Sequence, residues 1–286
     1  MVGTVQLHHA RGVLDLSRPI VMGVLNRTPD SFSDGGRFAA LDAAVSHALR
    51  MHAEGAALID VGGESTRPGA APVSTDDELS RVLPVVERLA REPGLLLSVD
   101  TSNPAVMRAS LEAGAAMIND VRGLRCEGAL QAVADGGAAV CLMHMQGDPA
   151  TMQAAPTYED VVVEVRDLLA ARMAACQAAG IGRERIVIDP GFGFGKRIEH
   201  NLRLLARLAE FDSLKCAVLA GLSRKSMLQS LTGRGVDDRL AGSVALAALA
   251  VYNGARIVRA HDVAATVDAI TVAAAVRAAG AGENVG

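Results

Sequence analysis

The chain is poor in aromatic residues, with five Phe, two Tyr and no Trp among 286 residues. So few flat rings argue against a protein that holds nucleic acid by stacking its bases. The charge balance argues the same way, because 28 basic and 32 acidic residues leave a net charge of −4 and no long basic run. We therefore expect no nucleic-acid partner.

Long apolar runs are also missing from the sequence. No stretch of about 18 uncharged apolar residues occurs, so no transmembrane helix is expected, and the first residues, MVGTVQLHHARG, lack the basic-then-apolar order of a signal peptide. Cysteine is scarce: the chain has Cys126, Cys141, Cys176 and Cys216. They form no C-x-x-C pair, which is typical of reduced thiols rather than of a zinc site or a disulfide framework. The sequence thus predicts a cytoplasmic protein without a membrane partner.

What recurs along the chain is a short apolar run, a Gly-rich or polar break, and an amphipathic stretch rich in Ala, Leu and Arg. Eight such runs occur, at 20–26, 57–63, 95–100, 116–120, 138–144, 185–191, 217–223 and 255–261. Continuous apolar runs indicate strands buried on both faces, as in a parallel sheet covered by helices. Eight strand–helix units in about 250 residues predict an α/β fold, a (β/α)8 TIM barrel. We expect one such domain over residues 1–286, with a doubly wound open sheet as the alternative.

The segment before Ile20 does not join this repeat. Its sequence, VQLHHARGVLDLS, has two short apolar runs around Arg11 and Gly12. We interpret it as an N-terminal β-hairpin that closes the floor of the barrel.

Polar side chains stand where the apolar runs stop. In chain order these are Asn26, Asp60, Asp100, Asn119, Asp120, His144, Asp189, Ser223, Arg259 and His261. In a parallel barrel the strands open their C-terminal ends onto one face, where the active sites of this fold lie. For Asp60 and Asp120, which are followed by tight turns, capping of a loop is the favoured role. For His144, between two methionines, a ligand contact and an apolar wall stay open.

The expected cavity suits a phosphorylated or diphosphate substrate. Helix starts after strands seven and eight of this fold often bind phosphate. The groups that would meet the anion are Asn26, Arg67, Lys225, Arg259 and His261. No paired Cys/His pattern is present, so a tightly held zinc is not expected; Mg²⁺ held by oxygen ligands and the substrate's phosphates fits better.

Several segments together resemble the dihydropteroate synthase family, notably DSFSDGG, GGESTRPGA and DPGFGFGK. The similar segments are 22–36, 59–70, 98–101, 113–123, 142–147, 189–196, 221–228 and 259–262. The resemblance implies a barrel transferase that joins 6-hydroxymethyl-7,8-dihydropterin diphosphate to 4-aminobenzoate, giving 7,8-dihydropteroate and diphosphate for folate synthesis. It also implies Mg²⁺ as cofactor, a homodimer, and competition by sulfonamides for the aminobenzoate site.

The resemblance also assigns residues. The pterin would contact Asp100, Asn119, Asp189 and Lys225. The metal would be held by Asn26 with the diphosphate, next to Arg67, Arg259 and His261. The aminobenzoate would lie between Thr66, Arg67 and Pro68 on one side and Phe192, Lys225 and Ser226 on the other. Met143 is a further substrate contact, and Asp30 and Phe32 belong to a lid loop. The catalytic set is Asp100, Asp189, Lys225, Arg259 and His261.

Chemistry explains these residue types. A dihydropterin can delocalise a cation on its exocyclic carbon, so the C–O bond can break before the amine attacks. Asp100 and Asp189 would favour the cation, and Arg259 with the metal would stabilise the departing diphosphate. The attacking arylamine is neutral at pH 7, so no strong general base is needed.

Two positions depart from the family pattern. Arg27 stands where the family usually has a small apolar residue, and Ala260 stands where Val or Thr is commoner. Since neighbouring side chains of a strand point to opposite faces, Arg27 should point towards the flanking helices if Asn26 faces the cavity. A catalytically silent paralogue stays open, as does a pterin-barrel methyltransferase that uses methyltetrahydrofolate. The STRPGA and SRKS loops argue against the methyltransferase, which has no aminobenzoate or diphosphate to hold.

Overall fold

The computed structural model describes residues 6–27, 36–65, 73–148 and 151–282. The strands in chain order are β1 (Gln6–His9), β2 (Gly12–Asp15), β3 (Ile20–Asn26), β4 (Ala56–Gly62), β5 (Leu96–Asp100), β6 (Met117–Asp120), β7 (Ala139–Met143), β8 (Ile186–Asp189), β9 (Ala217–Ala220) and β10 (Ile257–Ala260). Strands β3 to β10 pair in parallel, each with the next, and β10 pairs with β3 to close the barrel. The predicted barrel is confirmed, and the open sheet is excluded.

Helices cover the outside of this barrel. They are α1 (Gly36–Ala53), α2 (Thr75–Leu89), α3 (Pro104–Glu112), α4 (Ala129–Gly136), α5 (Val161–Ala178), α6 (Ile198–Ala206), α7 (Met227–Thr232), α8 (Leu240–Tyr252) and α9 (Val263–Gly280). Side-chain caps fix where some of them begin: Ser74 accepts from the Asp77 amide at the start of α2, and Asp160 accepts from the Val162 amide at the start of α5. Such caps satisfy amides that have no partner within the helix.

Along each barrel strand the side chains alternate between the interior and the helix layer. In β4, Leu58 belongs to the interior cluster and Ile59 to the cluster that the helices cover. Val187 and Ile188 of β8 divide in the same way. Because both faces are buried, this alternation leaves a continuous apolar run in the sequence.

The N-terminal hairpin lies at the end of the barrel where the strands begin. Strands β1 and β2 pair antiparallel, and Leu7 and Leu16 pack into the interior cluster with barrel residues such as Leu58. Arg11 donates to the carbonyl oxygens of Ala90 and Gly114, which precede β5 and β6, at 3.2 and 3.1 Å. The opposite end of the barrel is left for the polar side chains.

Helix α9 is long and apolar enough to cross a membrane by length and composition alone, and only 22% of it is buried. It contains Asp268 and Arg277, so it is not an uncharged run. Its inner face packs on the barrel through buried residues that include Val263 and Ile270. Its outer side leaves apolar side chains exposed, among them Val272 and Val276.

Candidate active site

The register of the barrel strands places three predicted ligands in one row. Asn26 of β3 pairs with Gly62 of β4, Gly62 with Asp100 of β5, and Asp100 with Asn119 of β6. Gly62 leaves room between its neighbours, because a Cβ there would come within 3.7 Å of Asn26 Oδ1 and 3.5 Å of Asp100 Cβ. This row forms one edge of the barrel mouth.

Arg259 of β10 joins two carboxylates at this mouth. Its Nε donates to Asp60 Oδ2 at 2.6 Å, and its Nη2 donates to Asp100 Oδ2 at 3.0 Å. Asn119 Nδ2 donates to the same Asp60 oxygen at 2.9 Å. The expectation that Asp60 caps a loop is wrong, because alternation along β4 turns its side chain into the barrel, two residues beyond Leu58.

Asp120, by contrast, does cap a loop, as expected. It accepts from the backbone amides of Arg122 and Leu124 at 2.8 and 2.7 Å, and Ser102 Oγ donates to it. Its carboxylate therefore shapes the turn that follows β6.

The charges of this network depend on one another. Burial raises the pKa of Asp100 to about 7, with a further rise from Asp60 and an opposing effect of Arg259. Burial alone would lower the pKa of Arg259, but the Asp60 and Asp100 carboxylates outweigh it and raise the pKa overall. The guanidinium thus stays charged, and its direct contact favours the ionised form of Asp100 against the effect of burial.

Asp189 lies across the mouth at the end of β8. Its Oδ1 accepts from the Gly191 amide at 2.7 Å. A Cβ at Gly221, just beyond β9, would lie 4.0 Å from both Asp189 Oδ2 and Arg259 Cβ, so these two side chains face the same space. Burial raises the pKa of Asp189, against lowering effects of the Gly191 amide and Lys225.

Lys225 follows β9 and lies against the loop that follows β8. Its Nζ is 4.2 Å from the centre of the Phe194 ring, a cation–π contact, and its stem packs on Gly193. Burial, with Arg259, lowers the pKa of Lys225 to about 8. A small polar cleft adjoins it, lined by Gln153, Gly193, Lys196, Asn201, Ser226 and Ser230 among others.

The backbone before Lys225 is held in an unusual conformation. Arg224 has φ +57°, in the left-handed region that non-glycine residues seldom adopt. Its guanidinium donates to both Asp262 carboxylate oxygens at 2.6 and 3.0 Å, and its amide donates to Ser243 Oγ at 2.9 Å. These contacts tie the loop after β9 to the residues after β10.

His261, beyond β10, is oriented by Ser223. Its backbone amide donates to Ser223 Oγ at 3.2 Å, and Ser223 Oγ lies 3.1 Å from its Nδ1. Burial, with Arg259 and Arg224, lowers the pKa of His261 to about 4, so the ring is neutral at pH 7. If the Ser223 hydroxyl donates to Nδ1, Nε2 carries the proton and can donate a hydrogen bond.

The aromatic ring next to Lys225 is Phe194, which the sequence interpretation did not select. Phe192 is 1% exposed and lies in the core between strands and helices. Met143 is 5% exposed and packs in a small cluster with Phe194 at the end of β7. His144 is buried, and its Nδ1 faces the Lys196 ammonium.

Arg27 points to the helix layer, as predicted from the alternation. Its Nη1 donates to the carbonyl oxygen of Ala40 in α1 at 2.6 Å, and its backbone amide donates to Gly62 O at 2.7 Å. The residue therefore fastens the end of β3 to a flanking helix. The predicted ligands Thr66, Arg67 and Pro68, and the lid residues Asp30 and Phe32, lie outside the described residues.

A family model for pterin-binding enzymes matches residues 22–261. The chain is 55% identical over 259 residues to the dihydropteroate synthase of Escherichia coli K12, covering 91% of this chain and 92% of the relative. Two solved structures covering 96% of this chain and 99% of their own are similar: Yersinia pestis dihydropteroate synthase with a sulfonamide drug (51% identity, TM-score 0.91) and the Xanthomonas albilineans enzyme with 4-aminobenzoic acid (54%, 0.90).

Proposed function

Because the chain belongs to the family of pterin-binding enzymes, we infer that it is a transferase acting as a dihydropteroate synthase. It joins 6-hydroxymethyl-7,8-dihydropterin diphosphate to 4-aminobenzoate and releases diphosphate. The observation that carries this inference is the convergence of Asp100, Asn119, Asp189 and Lys225 on one barrel mouth around Arg259. Sulfonamides are expected to compete with 4-aminobenzoate, as the drug complex of the Yersinia pestis relative suggests.

The carboxylates fit the pterin half of the substrate. Asp100 and Asp189 offer acceptors to the N–H groups of the pterin, and their negative charge favours the cation that forms as the C–O bond breaks. Asn119, fixed by its hydrogen bond to Asp60, can both donate and accept at the ring edge. The hydrogen bonds of this network fix its carboxylates and amide relative to one another, and groups fixed in this way need little reorganisation during a reaction.

The cations fit the leaving group. Arg259 carries a fixed positive charge, and neutral His261 can donate through Nε2 to a diphosphate oxygen. Lys225, whose pKa is lowered, lies near Asp100 and Asp189 and also lines the cleft that Ser226 borders. We place the 4-aminobenzoate in this cleft. After the C–O bond has broken and diphosphate has left, its neutral amine attacks the exocyclic carbon, forms the C–N bond and then loses a proton to water.

The chain fits a Mg²⁺ ion that arrives with the diphosphate. Within the described ranges, no group of three or more His, Cys, Asp or Glu side chains could hold an ion alone. Asn26 Oδ1 faces the space beside Gly62. A single protein oxygen is enough to hold Mg²⁺ when the substrate's phosphates and water supply the other ligands. The ion would neutralise charge on the departing diphosphate.

We propose that a second copy of the chain covers the apolar face of α8 and α9. Leu249 and Tyr252 of α8 and Val272 and Val276 of α9 are each about half exposed or more. Adjacent helices that present such a surface are typical of a subunit interface. Light scattering should give twice the chain mass for the wild type and the chain mass for Val276→Glu.

The floor and the location are also proposals. We propose that the β1–β2 hairpin closes the barrel floor, supported by the packing of Leu7 and Leu16 in the interior cluster. A cytoplasmic location stays our prediction; the four cysteines are free thiols, in keeping with a reducing compartment.

One assay tests the function. Purified protein is given the dihydropterin diphosphate, 4-aminobenzoate and Mg²⁺, and the release of diphosphate and the formation of dihydropteroate are followed. Turnover that requires both organic substrates supports the inference. No turnover with intact pterin binding would indicate a silent paralogue, and methyl transfer from methyltetrahydrofolate would indicate the methyltransferase.

A further inference from the structure

Lys196 has a buried ammonium that the proposed reaction does not use. It is 3% exposed, and its Nζ lies 2.9 Å from Gly191 O, 3.0 Å from Phe194 O and 2.9 Å from His144 Nδ1. An ammonium has three donors and no acceptor, so these partners satisfy all of them. The chain has only three lysines, and 25 of its 28 basic residues are arginine. A compact point charge with three tetrahedral donors suits this pocket better than a planar guanidinium.

His144 completes the site as an acceptor. Burial lowers the pKa of Lys196 to about 7, so its ammonium form is present at and below neutral pH. In that form Lys196 can only donate, and His144 accepts through Nδ1, which makes its ring neutral with the proton on Nε2. Burial, together with the Lys196 charge, lowers the pKa of His144 to about 2, in agreement with a neutral ring. Tyr158 packs beside this pair. The centre of its ring lies 6.1 Å from that of His144, and its hydroxyl donates to Gly195 O at 2.7 Å.

The loop around Lys196 can take its shape only with glycine. Gly191 and Gly195 have φ +72° and +60°, and a Cβ at either would collide with backbone oxygen atoms of the loop after β7, His144 O and Gln146 O. These glycines let the loop curl so that two of its carbonyl groups point at one spot. Lys196 occupies that spot.

Each of those two carbonyl groups belongs to a residue that contacts one of the side chains proposed to bind substrate. Gly191 accepts from Lys196 through its oxygen and donates through its amide to Asp189 Oδ1 at 2.7 Å. Phe194 accepts through its oxygen, and its ring lies 4.2 Å from Lys225 Nζ. Lys196 is thus connected to Asp189 through Gly191, and to Lys225 through Phe194.

We propose that Lys196 is a positioning residue that, with His144 as its acceptor, sets Asp189 and Lys225 at the spacing the pterin and the aminobenzoate require. The proposal rests on the proposed function. Lys196 borders the cleft, but its ammonium is held by the protein and acts through the loop.

The test compares Lys196→Met, which keeps the stem and loses the donors, with Lys215→Met, an exposed lysine with a surface ion pair. We expect Lys196→Met to lower kcat/KM about 100-fold, because a displacement of about 1 Å at reacting groups has that effect. We expect both a lower kcat and higher KM values for the two substrates, and an unchanged Lys215→Met. A folded Lys196→Met enzyme within threefold of wild type would overturn the proposal.

A second pair of variants covers the case in which Lys196→Met does not fold. His144→Asn keeps an acceptor near the Nδ1 position, and His144→Leu removes it. Retained kcat/KM in the Asn variant and a loss of tenfold or more in the Leu variant support positioning. Equal losses of kcat/KM in the two His144 variants contradict it. So does a loss of the same size in Leu16→Ala, because that change only destabilises the distant floor of the barrel.

The proposed function and this inference fail in different ways. The wild type in the same assay decides the function alone. Calorimetric binding of 6-hydroxymethylpterin to wild type and Lys196→Met decides the positioning role even without turnover. A weaker affinity by tenfold or more is expected for the variant, and an equal affinity would overturn the proposal.

Discussion

The two ends of the barrel are built from the same strands but differ in kind. At the floor, Leu58, Val187 and Ile257 meet the hairpin residues in an apolar cluster. Two residues further along the same strands stand Asp60, Asp189 and Arg259, which form the charged mouth. Residues two positions apart in a strand lie on the same face, so each of these pairs points into the barrel. The first residue of each pair belongs to the apolar core, and the second belongs to the proposed active site. Variants at the two ends should therefore have opposite effects.

The largest effect is expected at the mouth, for Asp100→Ala. Loss of a charged hydrogen-bond partner of the developing cation should lower kcat/KM about 1,000-fold, or about 4 kcal/mol. The melting temperature should change little, because Arg259 keeps Asp60 as its partner. Steady-state kinetics and a thermal melt measure both, with the exposed Asp212→Ala as control. Full turnover in Asp100→Ala would remove the cation-stabilising role.

The floor should show the reverse for Leu16→Ala. Leu16 is fully buried, and removal of its side chain should lower the free energy of unfolding by about 3 kcal/mol. Below the new melting temperature, kcat/KM should stay at the wild-type value. Denaturant titration provides the measurement, and Leu202→Ala, on the surface of α6, provides a control of the same residue type. A loss of activity in folded Leu16→Ala would show that the two ends are not independent.

A smaller effect concerns pH at the mouth. Burial and Arg259 lower the pKa of Lys225 to about 8, so the ammonium is present below that pH and lost above it. We expect kcat/KM to fall towards tenfold per pH unit above pH 8. Lys225→Arg should keep its charge and move this decline to higher pH. A pH profile identical in both enzymes would assign the decline to another group.

The smallest effect is expected for Arg27→Val, next to the mouth but turned away from it. Arg27 contacts the carbonyl oxygen of Ala40 in α1, so the KM for the pterin diphosphate should stay within a few-fold of wild type. A tenfold rise, equivalent to about 1.4 kcal/mol of binding, would place the guanidinium on the substrate instead.

Residues near in sequence were the easier ones to predict. The Asp120 cap and the direction of Arg27 follow from neighbouring residues and from strand alternation, and both are confirmed. The role of Asp60 was not predictable, because its partner Arg259 lies 199 residues away. Phe194 and Lys196 were missed for a related reason: the conformations of Gly191, Gly193 and Gly195 decide which side chains of GFGFGK reach Lys225 and His144.

The sequence by itself determined the eight strand–helix units, the polar strand ends and the family, since all three depend on residue type and on spacing within short segments. Only the tertiary structure decided which of those ends meet. The pairing of β10 with β3 brings Arg259 to Asp60 and Asp100, and the packing of the β8 loop on the β7 loop brings Lys196 to His144. Barrel closure and buried hydrogen bonds act between residues far apart in the chain, so they depend on strand register and loop conformation rather than on local pattern.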